Sequence, residues 1–316
     1  MKVLHNQKSR EELLRLLKAE DFPRKAASFY RYFHIEDPQT FRDDLYRAWF
    51  SLKVFGRVYV SREGINAQLS VPNHEWTSFE ASLKRFKDLE NVFLNHSLTS
   101  GEKAFIKLDV RVRERVVADG LEDLIFETSS PGRSLDPIAF HKALQEKDVV
   151  PVDVRNFYEC ETGRFDKAIC PTSEFFSDVL PELKERLTLY RNRKLLLYCT
   201  GGIRCEKAGA YLKHEGYENV FQLRGGIINY LRETRKAKIA SYFQGNLFVF
   251  DGRMAEQTVG KTISHCHQCQ KPYDIHSDCA FVECNRLMIQ CSNCAEMYNG
   301  CCSVECQEIL KEKTDG

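Results

Sequence analysis

Long apolar runs are missing from this chain of 316 residues. The stretch from Met1 to Glu20 scatters charges through itself, and no segment elsewhere approaches the length that crosses a bilayer. Neither a secretory signal nor a membrane anchor is expected, no membrane partner is indicated, and the cytoplasm is the expected compartment. Net charge is missing too: 46 Lys+Arg against 45 Asp+Glu leave +1, so any nucleic-acid contact must come from local patches. No dinucleotide fingerprint, flavin motif or other nucleotide motif is visible, and no two-histidine, one-carboxylate set marks an iron oxygenase. The strand-borne aromatics of RNA-recognition modules are also wanting.

What is there begins with cysteine. Thirteen of them without a secretion signal argue for metal binding or catalysis in a reducing compartment rather than a disulfide framework. The length suggests two or three domains, and 43% hydrophobic content is ordinary for soluble globular folds.

The most informative stretch is Leu195-Leu-Leu-Tyr-Cys199-Thr-Gly-Gly-Ile-Arg204-Cys-Glu-Lys-Ala208, which reads as strand, tight loop and helix. Gly201 and Gly202 permit backbone angles a side chain forbids, so loop N–H groups from Thr200 to Ile203 can turn inward on the Cys199 sulfur. The helix expected from Ile203 to His214 adds the positive end of its dipole, and Arg204 adds a full charge. All three favour a thiolate. On that helix Cys205, Ala208 and Leu212 share one face. Cys205 is therefore either a core residue or a second thiol able to resolve an oxidised or persulfidated Cys199.

C-T-G-G-I-R, with Arg five positions after Cys, resembles the six-residue active-site loop of rhodanese domains, in which the cysteine carries a persulfide sulfur. Cysteine phosphatases place that Arg six positions on, where this chain has Cys205. Asp153-Val-Arg155, Glu159 and Gly163-Arg-Phe165 are similar to a second rhodanese segment, and Leu223-Arg-Gly-Gly-Ile-Ile-Asn-Tyr230 to its closing one. Three motifs in order, among alternating strands and helices, identify residues 130–235 as a rhodanese-like α/β catalytic domain. By analogy Asp153 and Arg155 are structural. Asp136-Pro137 reads as a helix cap and first-turn proline.

Ahead of it, residues 1–122 are expected to form a ferredoxin-like βαββαβ domain. Its elements are an aromatic strand from Phe29 to Ile35, a helix after Pro38 and strands from Arg57 to Val60 and Ile65 to Val71. A helix through Trp76, Phe79, Leu83 and Phe86 follows, then a closing strand from Phe105 to Val112. Arg111, Arg113 and Arg115 recur every second residue, so they should share a strand face, either as a solvated edge or as phosphate contacts. Arg232, Arg235, Lys236 and Lys238 form a second basic group with the same two readings. The loop composition from Gly120 to Gly132 marks the boundary between the two domains.

Residues 236–316 change character. Two C-x-x-C knuckles are separated by about two dozen residues, with further cysteines interleaved, which fits tetrahedral thiolate sites for structural zinc. Cys266, Cys269, Cys291 and Cys294 make one plausible set, and Cys279, Cys284, Cys302 and Cys306 a second. His265, His267 and His276 are substitute ligands.

Over nearly its full length the chain resembles the rhodanese-type tRNA uridine hydroxylases, the TrhO family. The marks are Glu63-Gly-Ile-Asn66, Phe105-Ile-Lys-Leu with Val110 to Arg115, C-T-G-G-I-R-C-E-K-A, Gly225-Gly-Ile, Phe248 to Met254, and His265-Cys-His-Gln-Cys269. The resemblance implies oxygen-dependent hydroxylation of the wobble uridine of tRNA at C5, with Cys199 the matching active-site cysteine, molecular oxygen the co-substrate and the anticodon loop the partner. Two other readings stay open. A sulfurtransferase would move sulfane sulfur from Cys199 to an acceptor, and a tRNA-binding scaffold would not need Cys199.

Overall fold

The computed structural model describes residues 4–98, 104–121, 130–256, 258 and 261–315. Most of the loop expected to separate the first two domains, 122–129, lies outside the described residues.

The chain opens with α1 (Arg10–Lys18), capped by the Ser9 hydroxyl, which accepts the Glu12 N–H. Then come β1 (Arg24–Tyr32), α2 (Pro38–Ser51), β2 (Phe55–Ser61), β3 (Gly64–Pro72), α3 (Trp76–Lys84), β4 (Asn95–His96) and β5 (Leu108–Val112). They form one five-stranded sheet in the order β4-β1-β3-β2-β5. Period-2 alternation sends Phe29, Val58, Ile65, Ala67 and Leu69 to one face, where they pack against Leu45 and Trp49 of α2 and Phe79 of α3. Each Val, Leu, Ile or Phe among them contributes about 1.5–3 kcal/mol on burial, so this face must be covered. The opposite face carries Ser28, Tyr30, Tyr59, Asn66 and Gln68, none fully buried, and looks towards the second domain.

Three expectations need correction. The first strand runs Arg24–Tyr32 rather than Phe29 to Ile35, because the small apolar pair Ala26 and Ala27 extends the pairing to Pro72. The strand that closes the ferredoxin-like order is the two-residue β4, antiparallel to β1, while β5 joins the other edge parallel to β2. β5 begins at Leu108 rather than Phe105 and ends at Val112, with Arg113 and Arg115 following it and the Arg113 N–H donating to the Val60 carbonyl at 2.8 Å.

The second domain runs β6 (Arg133–Leu135), α4 (Pro137–Ala143), β7 (Val149–Asp153), α5 (Phe157–Thr162), β8 (Gly163–Phe165), α6 (Phe176–Arg186), β9 (Lys194–Tyr198), α7 (Ile203–His214), β10 (Val220–Leu223) and α8 (Gly226–Ala237). Asp136 caps α4 with Pro137 at its first position. The sheet order β6-β10-β9-β7 is parallel throughout. Covered on both faces, the central strand β9 is apolar without alternation, and Leu195 to Tyr198 are fully buried. Asp153 and Arg155, 2.6 Å apart and fully buried, tie the end of β7 to the Gly163 carbonyl, the structural part expected of them.

Beyond α8, β11 (Phe243–Gly245) pairs with β8, and β12 (Leu247–Phe248) with β13 (Ala255–Glu256). The cysteine-rich tail is held by β14 (His276–Asp278), β15 (Leu287–Ile289), α9 (Ser292–Met297) and α10 (Val304–Asp315). Among the described residues no helix is long and apolar enough to cross a membrane.

Candidate active site

Cys199 directly follows β9, and α7 begins four residues later, so strand and helix together fix both ends of a very short loop. Gly202 takes φ +109°, where a side chain would be strained and would meet the Tyr30 hydroxyl at 2.9 Å. That conformation aims its N–H at the Cys199 sulfur, 3.1 Å away. The loop's carbonyls are taken up elsewhere. Ile227 N–H donates to the Cys199 carbonyl at 2.9 Å and Ile228 N–H to that of Thr200 at 3.2 Å. This close seating of α8 requires Gly226, since a Cβ there would lie 2.5 Å from both carbonyl oxygens.

Burial alone would raise the Cys199 pKa. It is outweighed by a hydrogen bond from the Cys205 thiol, the Arg204 charge and the N–H groups of Gly202 and Cys205, which bring the group down to about 6. Cys205 is fully buried in the same apolar cluster as Ala208 and Leu212. Burial and the adjacent thiolate push its own pKa well up. Cys205 is thus at once a core residue and a thiol hydrogen-bonded to the nucleophile.

Arg204 does not stand free over the loop. Its guanidinium makes a two-pronged pair with Glu159, Nη2 to Oε2 at 2.8 Å and Nη1 to Oε1. Burial would raise the Glu159 pKa, but Arg204 and Arg155 overcome it and hold the carboxyl below the usual range. Glu159 also accepts from the Thr200 hydroxyl at 3.1 Å, so one carboxylate orders both loop and arginine. Of the loop N–H groups from Thr200 to Ile203, that of Gly202 is the one that reaches sulfur.

The first domain supplies the opposite wall. Asn95 Nδ2 donates to the Gly201 carbonyl at 3.1 Å, Tyr30 OH to Glu206 at 3.1 Å and Tyr32 OH to the Ile203 carbonyl at 3.4 Å. Lys207, on the next turn of α7 and only 3% exposed, pairs with Glu63 and lies 3.0 Å from Asp119. Between the walls lies a cleft of about 590 Å³, floored by the polar sheet face, with Cys199, Thr200 and Arg204 on one side and Phe175, Phe250 and Arg253 among the rim residues. That volume is within the range of small-molecule sites and accommodates a nucleoside.

Arg113 and Arg115 line this cleft. The Arg113 guanidinium lies 5.7 Å from the centre of the Tyr59 ring, and Arg115 pairs with Asp119 at 3.4 Å. Arg111 pairs with Asp109 at 2.6 Å on the exposed edge. Arg232 bonds Asn229 and Glu233, while Arg235, Lys236 and Lys238 are exposed at the far end of α8, roughly 12 to 17 Å of helix from the loop.

In the tail, the sulfurs of Cys266, Cys269, Cys291 and Cys294 lie within 4.8 Å of one another, and so do those of Cys279, Cys284, Cys302 and Cys306. Four convergent thiols in each set are a donor chemistry suited to a tetrahedral thiophilic metal. Histidine is in neither set. His267 bonds Glu161 at 2.9 Å, His276 packs edge-on to Phe248, and His265 bridges to Pro272.

Sequence reasoning missed the parts played by Glu159, Asn95, Tyr30 and Lys207. Glu159 carries a local signal, since Asn156-x-x-Glu159 is a capping box that starts α5. The others act across domains and have none.

A parallel sheet with a cradled, acidified cysteine on the loop after its central strand defines a rhodanese-type thiol enzyme, here fused behind a second α/β module. Residues 136–233 match the family profile described as Rhodanese-like domain, 24–116 the UPF0176 acylphosphatase like domain, and 244–307 Rhodanase C-terminal. A tRNA uridine(34) hydroxylase of Erwinia tasmaniensis is 47% identical over 296 residues, covering 93% of this chain and 85% of that protein. One from Leptospira interrogans is 44% identical over 313 residues, covering 98% and 85%. The chain belongs to the tRNA uridine(34) hydroxylase family.

Proposed function

We infer that the protein hydroxylates uridine 34 of tRNA at C5, using Cys199 as the reacting thiol. The observation that carries the chemistry is a sulfur brought to a pKa of about 6 beside a nucleoside-sized cleft. A sulfurtransferase would use the same loop, but curated relatives at 44–47% identity bear the hydroxylase name.

Molecular oxygen is the co-substrate and the anticodon loop is the part of tRNA bound, because its unstacked bases reach a pocket without duplex opening. The Cys199 thiolate, or the outer sulfur of its persulfide, adds to C6 of the uracil, which makes C5 electron-rich. Loop N–H groups favour the negative charge that develops. Oxygen then attaches at C5. One oxygen atom stays there and the other leaves as water, with two electrons and two protons drawn from two external thiols, which are oxidised to a disulfide. The C6–S bond breaks as C5 gives up its proton, restoring the ring double bond and the thiolate.

Arg113 and Arg115 hold phosphates at the cleft, while Arg111, Arg232, Arg235, Lys236 and Lys238 contribute a more distant basic surface. The three segments 1–122, 130–235 and 236–316 divide the labour as recognition, chemistry and a zinc-braced tail. Zinc in both thiol sets would supply folding energy only, and the reaction would take place in the cytoplasm.

Mass spectrometry of tRNA nucleosides tests this directly. Cells lacking the protein should lose 5-hydroxyuridine at position 34, the purified protein should restore it, and heavy oxygen gas should label the new hydroxyl. Label arriving from water would overturn the oxygen step, and a missing sulfur instead of a missing hydroxyl would restore the sulfurtransferase. Cys199→Ser should abolish product while leaving tRNA affinity within a few-fold, because phosphate contacts hold the substrate.

A further inference from the structure

The cleft floor contains a chain of side-chain amides whose direction is fixed. Asn66 Nδ2 donates to the Val116 carbonyl at 3.1 Å, and Gln68 Nε2 donates to Asn66 Oδ1 at 2.6 Å. A backbone carbonyl can only accept, so the Asn66 amide cannot be turned over. Its oxygen therefore faces Gln68, and Gln68 must present nitrogen to it. Left over on Gln68 are the carbonyl Oε1 and a second N–H, neither bonded to any described residue, on a half-buried side chain that lines the cleft.

Strand register places this pair relative to the nucleophile. Asn95, Ser28, Gln68 and Arg57 stand side by side across four strands. Asn95, at one end of the row, touches the Cys199 loop through the Gly201 carbonyl. Two strand spacings, roughly 10 Å, separate Gln68 from Asn95. A base lying along this row has the sulfur loop at one end and the Gln68 amide at the other.

We propose that Gln68, its amide direction locked by Asn66, reads the Watson–Crick edge of the target base and selects uracil over cytosine. This rests on the hydroxylase reading and supplies its base specificity. Uracil offers N3–H as a donor next to the O4 acceptor, which pairs with an acceptor next to a donor. Cytosine reverses both groups, offering N3 as an acceptor beside an amino donor. A freely turning glutamine would serve either base, and the fixed amide removes that ambiguity. Single-stranded RNA bases are commonly read at this edge.

The test uses the full-length protein and synthetic anticodon stem-loops bearing uridine, 3-methyluridine or cytidine at position 34, with dissociation constants measured by fluorescence anisotropy without turnover. The wild type should bind the uridine hairpin about tenfold more tightly than either of the others, the scale of one good two-bond base contact. The 3-methyluridine arm needs no variant and so does not depend on a mutant folding. Gln68→Met should bring all three affinities together at the weaker value, with the Cys199 alkylation rate unchanged as a check on the fold. Asn66→Ala should free the amide to turn over and raise cytidine binding to within about twofold of uridine. Equal wild-type affinity for uridine and 3-methyluridine would overturn the proposal, and so would a Gln68→Met protein that kept the preference. Hydroxylation is scored separately. A wild type that kept the binding preference but modified no uridine would sink the functional reading and leave this one standing.

Discussion

Glu159 of α5 and Arg204 of α7 pair beside the Cys199 loop, with Arg204 Nη2 2.8 Å from Glu159 Oε2 and both side chains buried. The rhodanese arginine is therefore a braced charge rather than an open anion grip. Its field still lowers the Cys199 pKa, while its donors are directed at a carboxylate.

Removing either partner leaves the other buried and unpaired, a loss of about 3–5 kcal/mol. The thiol should separate the two cases. Arg204→Met should move the alkylation midpoint of Cys199 from about 6 towards the ordinary thiol value of roughly 8.5. Glu159→Gln leaves the positive charge unopposed and should hold the midpoint at or below its starting value. Peptide-mapped alkylation rates against pH provide the measurement, and equal midpoints in the two variants would refute the brace.

The pH dependence of the wild type follows from the direction of the shift. A lowered pKa means that thiolate predominates above about 6 and is lost by protonation below it. Single-turnover hydroxylation and iodoacetamide trapping should both be flat from about pH 7 to 8 and fall about tenfold per unit on the acid side. A trapping midpoint of 8 or more would mean that the loop does not stabilise the anion.

Elemental analysis should find about two zinc ions per chain, one for each converged set of four sulfurs. Strong chelation should open the tail from His265 to proteolysis while the rhodanese-like domain resists, since a segment with so little apolar core depends on its metal. Metal-free protein with a protease-resistant tail would contradict this.

Lys207 links the domains through Glu63 on one side and Asp119 on the other. Lys207→Met leaves Glu63 without its cation and Asp119 with Arg115 alone, and should cost at most about 3–5 kcal/mol. Because those carboxylates precede the rhodanese-like segment, calorimetry should also show one unfolding transition splitting into two. A single transition at the wild-type temperature would show that the ion group is not what couples the domains.

Much of this was legible in the chain. The apolar run ending in Cys199, the glycine pair and the helix from Ile203 to His214 are local signals, and the structure has them at the residues expected. Of the nine cysteines of the tail, the eight grouped from the sequence as two plausible sets converge in those same sets, and Cys301 belongs to neither. What was illegible is short or non-local. β4 is two residues long and carries no periodicity, and Ala26 and Ala27 look weakly apolar although they lie in a nine-residue strand. Arg113 and Arg115 continue a perfect alternation past Val112, the last paired residue of β5, so the pattern runs on where the pairing ends. The approach of Asn95 to Gly201 spans 106 positions, and nothing in the neighbourhood of either residue announces the other.

Asn95 holds the Gly201 carbonyl and the Tyr30 ring roofs Gly202, so a chain begun at residue 130 would keep its nucleophile and lose the chamber around it. Reactivity and the polar wall opposite it are thus carried separately along this sequence. The sulfur and its electrostatic setting travel with the second domain, and the sheet face that floors the cleft travels with the first. Placing a different acylphosphatase-like module ahead of the same loop would alter which molecules are handled without touching the thiol that handles them, so this pair of domains lends itself to recombination as a means of redirecting a fixed chemistry.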